Sequence, residues 1–248
     1  LIIHISQGKR RRLSFLSITE NVGSVFDRIE AAAKASGRSA DEITLIAATK
    51  MNSADNIAEA IRGGIKVCGE NRVQELLEKN AQNAYRGASL HFIGHLQKNK
   101  VKHVVGVCSL IQSVDSLELM SLIDKRAKAL GIRQDVLLEI NIAGEESKSG
   151  MRESELPLFL EKAGAFSSVF IRGLMAIPPI SLSKGENRAY FARMYKLFVD
   201  NSLKKYDNVS MDFLSMGMSG DFEDAIAEGS NMVRVGSAIF GARPYPPA

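Results

Sequence analysis

Eight short apolar runs recur along this chain, each followed by a polar or amphipathic stretch. They are "EITLIAATK", "IKVCGEN", "LHFIGHL", "SLIQSVD", "DVLLEINIAG", "VFIRGLMAIPP", "MDFLSMGMS" and "MVRVGSAIFG". A first amphipathic segment, "SITENVGSVFDRIEAAAKASG", precedes them, with Val22, Val25, Ile29 and Ala33 on one stripe and Gly37 as a stop. Between the runs lie helical patterns such as "SADNIAEAIRGG", with Ser53 as N-cap and the glycines as stop, and the longer "SLELMSLIDKRAKALG". Apolar strands separated by amphipathic helices imply βαβ units and parallel pairing. Parallel strands are covered on both faces, so they read as continuous apolar runs. About eight such units without two distinct halves predict an α/β fold, a single closed (β/α)8 barrel over residues 17–248.

In such a barrel the C-terminal ends of all strands converge on one face. The ends are Lys50, Asn71, His95, Asp115, Asn141, Met175, Ser219 and Arg234. An ammonium at that mouth has two chemical uses: it binds an anion, or, with a lowered pKa, it attacks a carbonyl to form a Schiff base. The plainer alternative for Lys50 is a strand-end charge beside solvent. Gly236 and Ser237, just after the eighth run and before a short helix or turn, offer unhindered backbone N–H groups for an anion. Ser219 in "SMGMSGD" adds a hydroxyl from the neighbouring strand end, although both glycine segments are also what tight turns need. Loops after strands 7 and 8 are a frequent phosphate site in this architecture. A lysine opposite a phosphate cradle fits a Schiff-base aldolase acting on sugar phosphates. It equally fits a site for pyridoxal 5′-phosphate (PLP), which has an aldehyde at one end and a phosphate at the other. Arg234, two residues before the cradle, favours PLP, because a guanidinium facing the pyridine nitrogen would keep it unprotonated and weaken the ring as an electron sink. The plainer reading of Arg234 is a surface ion pair. The aldolase needs an acid/base group at the strand ends, for which Asp115 is the obvious candidate.

Charge and composition narrow the choices. The net charge of +4 comes from Lys9, Arg10, Arg11 and Arg12; without them 28 basic residues face 28 acidic ones. The body is neutral, which argues against nucleic acid. Residues 1–16 read as a basic arm, disordered or foreign to the native protein. No apolar run is long enough to span a bilayer and no signal peptide is recognisable, so a cytoplasmic location is expected. Cys68 and Cys108 are expected to be buried, reduced thiols. His91 and His95 are four apart, but on a strand that spacing separates them, so no metal site is read.

The blocks "LIAATK", "CGENRVQE", "HFIGHLQKNK", "INIAGEESKSGM", "RGLMAIPP", "LSMGMSGDFEDAI" and "MVRVGSAIFGAR" occur in this order. Over roughly residues 18–243 the chain resembles the YggS/PROSC family of PLP homeostasis proteins, whose barrel is similar to the N-terminal domain of bacterial alanine racemase. The resemblance implies a Schiff base from Lys50 to PLP, a phosphate held by Ser219, Gly236 and Ser237, and Arg234 facing the pyridine nitrogen. It implies that Asn71 and Met218 line the cofactor pocket, with His95, Asn141 and Lys148 near the mouth. The block "INIAGEESKSGM" is either a mobile lid or a long solvated loop. Many relatives continue "TKP" after the lysine; this chain has Met51-Asn52-Ser53, which removes a second lysine and a proline.

Alanine racemase adds a second, mostly β domain and takes a tyrosine from the partner subunit as its opposite-face base. Racemisation by two bases needs acid/base groups on both faces. This chain reaches only Ala248, and Tyr85, Tyr190, Tyr195, Tyr206 and Tyr245 are expected in helices or at the tail. The expectation is therefore a monomeric carrier that binds, buffers and delivers PLP, with PLP-requiring apo-enzymes as candidate recipients, without efficient turnover. The alternative is a PLP-dependent amino-acid racemase of weak or narrow activity.

Overall fold

The structure, a computed structural model, describes residues 17–145, 148–180, 183–204 and 206–241. The basic arm and Tyr245 lie outside the described residues. Eight parallel strands form one closed barrel in sequence order: β1 (Thr44–Ala48), β2 (Val67–Glu70), β3 (Ser89–Phe92), β4 (Leu110–Val114), β5 (Gln134–Ile140), β6 (Val169–Ala176), β7 (Val209–Ser215) and β8 (Met232–Val235). The barrel closes between β8 and β1, where Leu45 pairs with Val233 and Ile46 with Arg234. The expected (β/α)8 barrel is present.

Among the described residues eight α-helices surround the strands: α1 (Ile18–Ala35), α2 (Ala54–Arg62), α3 (Val73–Ala81), α4 (Leu117–Leu130), α5 (Leu156–Ala163), α6 (Arg188–Ser202), α7 (Phe222–Ala227) and α8 (Ser237–Phe240). α1 begins at a capping box made by Ser17 and Glu20, and its buried stripe is Val22, Val25, Ile29 and Ala33, as the spacing predicts. α8 is a single turn, and α1 packs against α2, α7 and α8 to cover that side of the barrel. An Arg28–Glu223 ion pair and a bond from Asn21 Nδ2 to the Ile239 carbonyl tie it there. Between β3 and β4 the connection is a 3-10 helix, Lys98–His103, not an α-helix.

Strand alternation separates two apolar layers. Leu45, Ala47, Cys68 and Val136 face the helices, whereas Ile46, Leu110, Leu137, Met175 and Met232 fill the barrel. Met175 is therefore core at the level of β6, not part of the mouth; the strand runs one residue further, and Ile177 takes the place at the rim. Cys68 and Cys108 are buried and unpaired, and burial pushes both thiols up to about 12. Among the described residues no helix is long and apolar enough to cross a membrane.

Candidate functional site

The first strand stops two residues short of Lys50. Thr49 still donates its N–H to the Gly69 carbonyl at 2.9 Å, and the chain then turns because Met51 adopts a left-handed φ of 61°. The same alternation that buries Ile46 turns Ala48 and Lys50 inward. Ser53 caps α2 by accepting the Asn56 N–H at 3.2 Å, and Asn52 Nδ2 donates to the Lys50 carbonyl at 3.1 Å. These bonds give Met51-Asn52-Ser53 a local role: the Ser53 hydroxyl starts the helix.

Lys50, Asn71, Met218, Ser219, Arg234, Gly236 and Ser237 all line one cavity of about 640 Å³ at the C-terminal mouth of the barrel. That is within the usual range for small-molecule sites. Ile93, Ile177 and Ile180 supply apolar wall. The seven residues come from the ends of β1, β2, β7 and β8, which are adjacent only because the barrel closes.

The anion cradle forms where β7 and β8 end. Ser219 Oγ accepts the backbone N–H of Gly236 at 3.0 Å and of Ala238 at 3.4 Å. The hydroxyl proton is left to donate elsewhere. The loop that carries Ser219 is fixed by Asp221, which accepts the Met218 N–H at 2.7 Å and a bond from Asn187 Nδ2 at 2.8 Å. Gly217 (φ 93°) makes the approach, since a Cβ there would lie 2.6 Å from the Ala225 Cβ.

Arg234 is buried at 4% exposure, so it is not a surface ion pair. Its Nη1 donates to Ser215 Oγ at 2.6 Å and its Nη2 to the Ala176 carbonyl at 2.9 Å. The Ser215 hydroxyl donates to Gln112 Oε1 at 2.7 Å, and Gln112 Nε2 lies 3.0 Å from His91 Nδ1. A polar chain thus crosses the barrel interior beneath the mouth. Burial lowers the arginine to about 10, which leaves it charged at neutral pH, and burial lowers His91 to about 4, which leaves it neutral.

Asn71 stands at the end of β2, and the backbone of Gly94 packs on it so closely that a Cβ would lie 2.2 Å from the Asn71 carbonyl oxygen. The side-chain oxygen Oδ1 of Asn71 is buried and has no hydrogen-bond partner among the described residues. A cavity that holds an amine, a guanidinium and an anion cradle, with this unmet acceptor on a residue of its wall, fits a ligand with a carbonyl at one end and an anion at the other.

The remaining mouth residues do not reach this cavity. His95 lies beyond β3 and is exposed, with Nδ1 3.8 Å from Asp115 Oδ2 and 3.1 Å from Ser149 Oγ. His91 is inside the barrel, so the two histidines are separated. Asn141 is a staple for the loop after β5: its Nδ2 donates to the carbonyls of Glu145 at 2.8 Å and Lys148 at 3.3 Å. Lys148 pairs with Glu145 at 2.8 Å. Tyr190 and Tyr195 are on α6, but Tyr85 is in the turn after α3 instead of a helix, and its hydroxyl donates to Glu70 Oε1 at 3.1 Å. None of the described tyrosines lines the cavity.

Two features escape the sequence reading. Glu139 sits on the inner side of β5 with Oε2 unpartnered among the described residues, and burial, helped by Asp115 and opposed by Arg234, raises its carboxyl to about 7. A lone charge inside the apolar run "VLLEINI" was the available signal. The second is Lys79, 7% exposed in α3, which bonds to Glu70 and Glu75; its spacing resembles any solvated helix lysine.

The profile of the family described as "Alanine racemase, N-terminal domain" matches residues 26–244. The pyridoxal phosphate homeostasis protein of Aquifex aeolicus is 40% identical over 93% of this chain and all of its own length. That of Escherichia coli strain K12 is 39% identical over 92% of this chain and 97% of its own. Among solved structures, PipY of Synechococcus elongatus with PLP bound has a TM-score of 0.78 at 32% identity, covering 90% of this chain and all of that one. Alanine racemase of Clostridium difficile 630, at 15% identity and a TM-score of 0.66, shares the fold over 91% of this chain and 60% of its own. The chain therefore belongs to the alanine racemase N-terminal-domain family and, within it, to the pyridoxal phosphate homeostasis proteins.

Proposed function

We propose that this protein holds PLP through a Schiff base to Lys50 and serves to buffer and deliver the cofactor, without efficient catalysis of its own. The observation that carries the reading is the shared cavity: an amine at the end of β1 opposite a Ser219–Gly236–Ser237 cradle at the ends of β7 and β8. When bound, the cofactor would supply an aldehyde for the amine and, in an enzyme, an electron sink. The rest is the work of this chain. The Ser219 hydroxyl and the backbone N–H of Ser237 would take the phosphate, with Gly236 bordering it while its N–H holds the Ser219 oxygen; Arg234 would present a charged guanidinium to the ring nitrogen, and Asn71 and Met218 would border the body. A guanidinium that stays protonated does not pass a proton to the ring, which suits holding better than turnover. A linkage that another amine can displace serves storage and release with one lysine. Transfer to PLP-requiring apo-enzymes, a monomeric state and a cytoplasmic location complete the reading; two buried, unpaired thiols fit a reducing compartment.

The test is the visible absorbance of purified protein with added PLP, for the wild type and Lys50→Ala. A band that is lost in the variant supports the handle. No band, or one that persists in Lys50→Ala, overturns it. The racemase reading is separated by incubating loaded protein with amino acids in deuterated water: α-hydrogen exchange at an enzymatic rate would replace the carrier with an enzyme. An aldolase is disfavoured because Asp115, its candidate acid/base, lies outside the cavity beside His95.

A further inference from the structure

The peptide groups on both sides of Lys50 are gripped from outside the barrel by one ion cluster, buried at Lys79 and Glu70 and half-buried at Glu75. Ala48 and Lys50 line the cavity, so alternation turns Thr49 away, toward α3. There the ammonium of Lys79 donates to the Thr49 carbonyl at 2.8 Å, to Glu70 Oε1 at 2.6 Å and to Glu75 Oε2 at 2.9 Å. An ammonium has three N–H groups, and three acceptors surround it. Glu75 Oε2 accepts a second bond, from the Met51 N–H at 2.6 Å. The peptide before Lys50 is thus held through its carbonyl and the peptide after it through its N–H. Glu70 Oε1 also collects Thr49 Oγ1 at 2.7 Å and the Tyr85 hydroxyl at 3.1 Å.

Ordinary stability does not account for this cluster. Buried ion pairs seldom outperform apolar side chains of the same volume, because desolvation offsets most of the attraction. Here the pair is aimed at the backbone of a single turn. That turn contains Met51 at φ 61°, a conformation that an L side chain keeps only where its surroundings over-determine it.

We propose that Lys79 and Glu75 are positioning residues for Lys50. They fix the backbone from which the Lys50 amine reaches an aldehyde whose anionic end is held at Ser219. The proposal rests on the reading of Lys50 as a covalent handle. In that step the neutral amine adds to the aldehyde carbon, a C=N bond replaces C=O, and the oxygen leaves as water with the two amine hydrogens. Reaction depends steeply on the approach of the two atoms, so a loosened turn slows it.

The test compares the wild type, Glu75→Ala, the charge-balanced double variant Glu70→Gln with Lys79→Met, and Glu75→Gln, which retains an oxygen for the Met51 N–H. Each apo protein is mixed with PLP, the rate of band growth is recorded, and the fraction trapped at Lys50 is measured by borohydride reduction and peptide mass. Affinity for pyridoxine 5′-phosphate, which has the ring and phosphate but no aldehyde, reads the cavity alone, and thermal melting reads the fold. The expected result is at least a tenfold slower covalent step in Glu75→Ala and the double variant. Pyridoxine 5′-phosphate affinity should stay within about threefold, and Glu75→Gln should lie near the wild type. Equal losses for both ligands, or a variant without cooperative melting, would mark a general structural role and overturn the assignment. An unchanged rate in Glu75→Ala and the double variant, with wild-type trapping intact, would overturn the assignment alone. A wild type that traps nothing at Lys50 would remove the handle and this proposal together.

Discussion

Arg234 and Ser215 face each other across the seam between β7 and β8, with the guanidinium Nη1 2.6 Å from the serine hydroxyl oxygen. Both are buried, and the same hydroxyl donates to Gln112 Oε1. The arrangement holds the guanidinium from below while it lines the cavity above. Ser215→Ala removes an acceptor from a buried cation and a donor from a buried amide. A hydrogen bond to a charged group is worth about 1.5–3 kcal/mol, and a loss of about that size is expected in urea unfolding. A variant with the wild-type midpoint would show that the chain through Gln112 does not support Arg234.

Ser219 tests the cradle. Its oxygen takes the N–H of Gly236, so its proton remains for an anion. Ser219→Ala is expected to weaken PLP by about tenfold, the equivalent of one charge-assisted bond of about 1.4 kcal/mol. Pyridoxal, which lacks the phosphate, should bind wild type and variant alike. Equal weakening of both ligands would mean that Ser219 shapes the cavity without holding the phosphate.

Glu139 predicts a pH dependence of stability. Burial raises its folded carboxyl to about 7, above the ordinary carboxylate value of 4.5, so the folded state binds the extra proton between those values. Stability from this group is therefore full below about pH 4.5 and falls as pH rises through 7, by at most about 3 kcal/mol. His91 acts in the opposite sense: its folded value of about 4 lies below 6.5, so its contribution rises with pH across that window. The two trends overlap, and the wild type alone does not separate them. The difference in urea midpoint between Glu139→Gln and the wild type removes the histidine. That difference should grow in favour of the variant from pH 5 to pH 8; a flat difference would mean that Glu139 is solvated in the folded protein.

Much of the barrel was legible in the chain because it depends on local order. Apolar runs of strand length, the Ser53 cap and the stripe Val22–Val25–Ile29–Ala33 each record which face a residue presents, and burial follows that record. Lys50, Ser219, Arg234 and Gly236 were also legible, because parallel strands in a barrel deliver their C-terminal ends to one face. Sequence by itself determined the strand count, the fold class and the chemistry carried to that mouth.

Tertiary structure alone decided how those groups meet. The exact end of a strand depends on what its neighbours allow: β1 stops at Ala48 because Met51 turns the chain, and Met175 falls into the core because β6 runs past it. His95 and Asn141 stand at strand ends by sequence, yet one pairs outside the cavity and the other closes its own loop. Lys79 and Glu139 were hidden for a related reason. A charged side chain in a helix or strand has the same local pattern whether it faces water or a buried partner, and only the packed neighbours from α3, β1 and β2, or from the barrel interior, give it one role or the other.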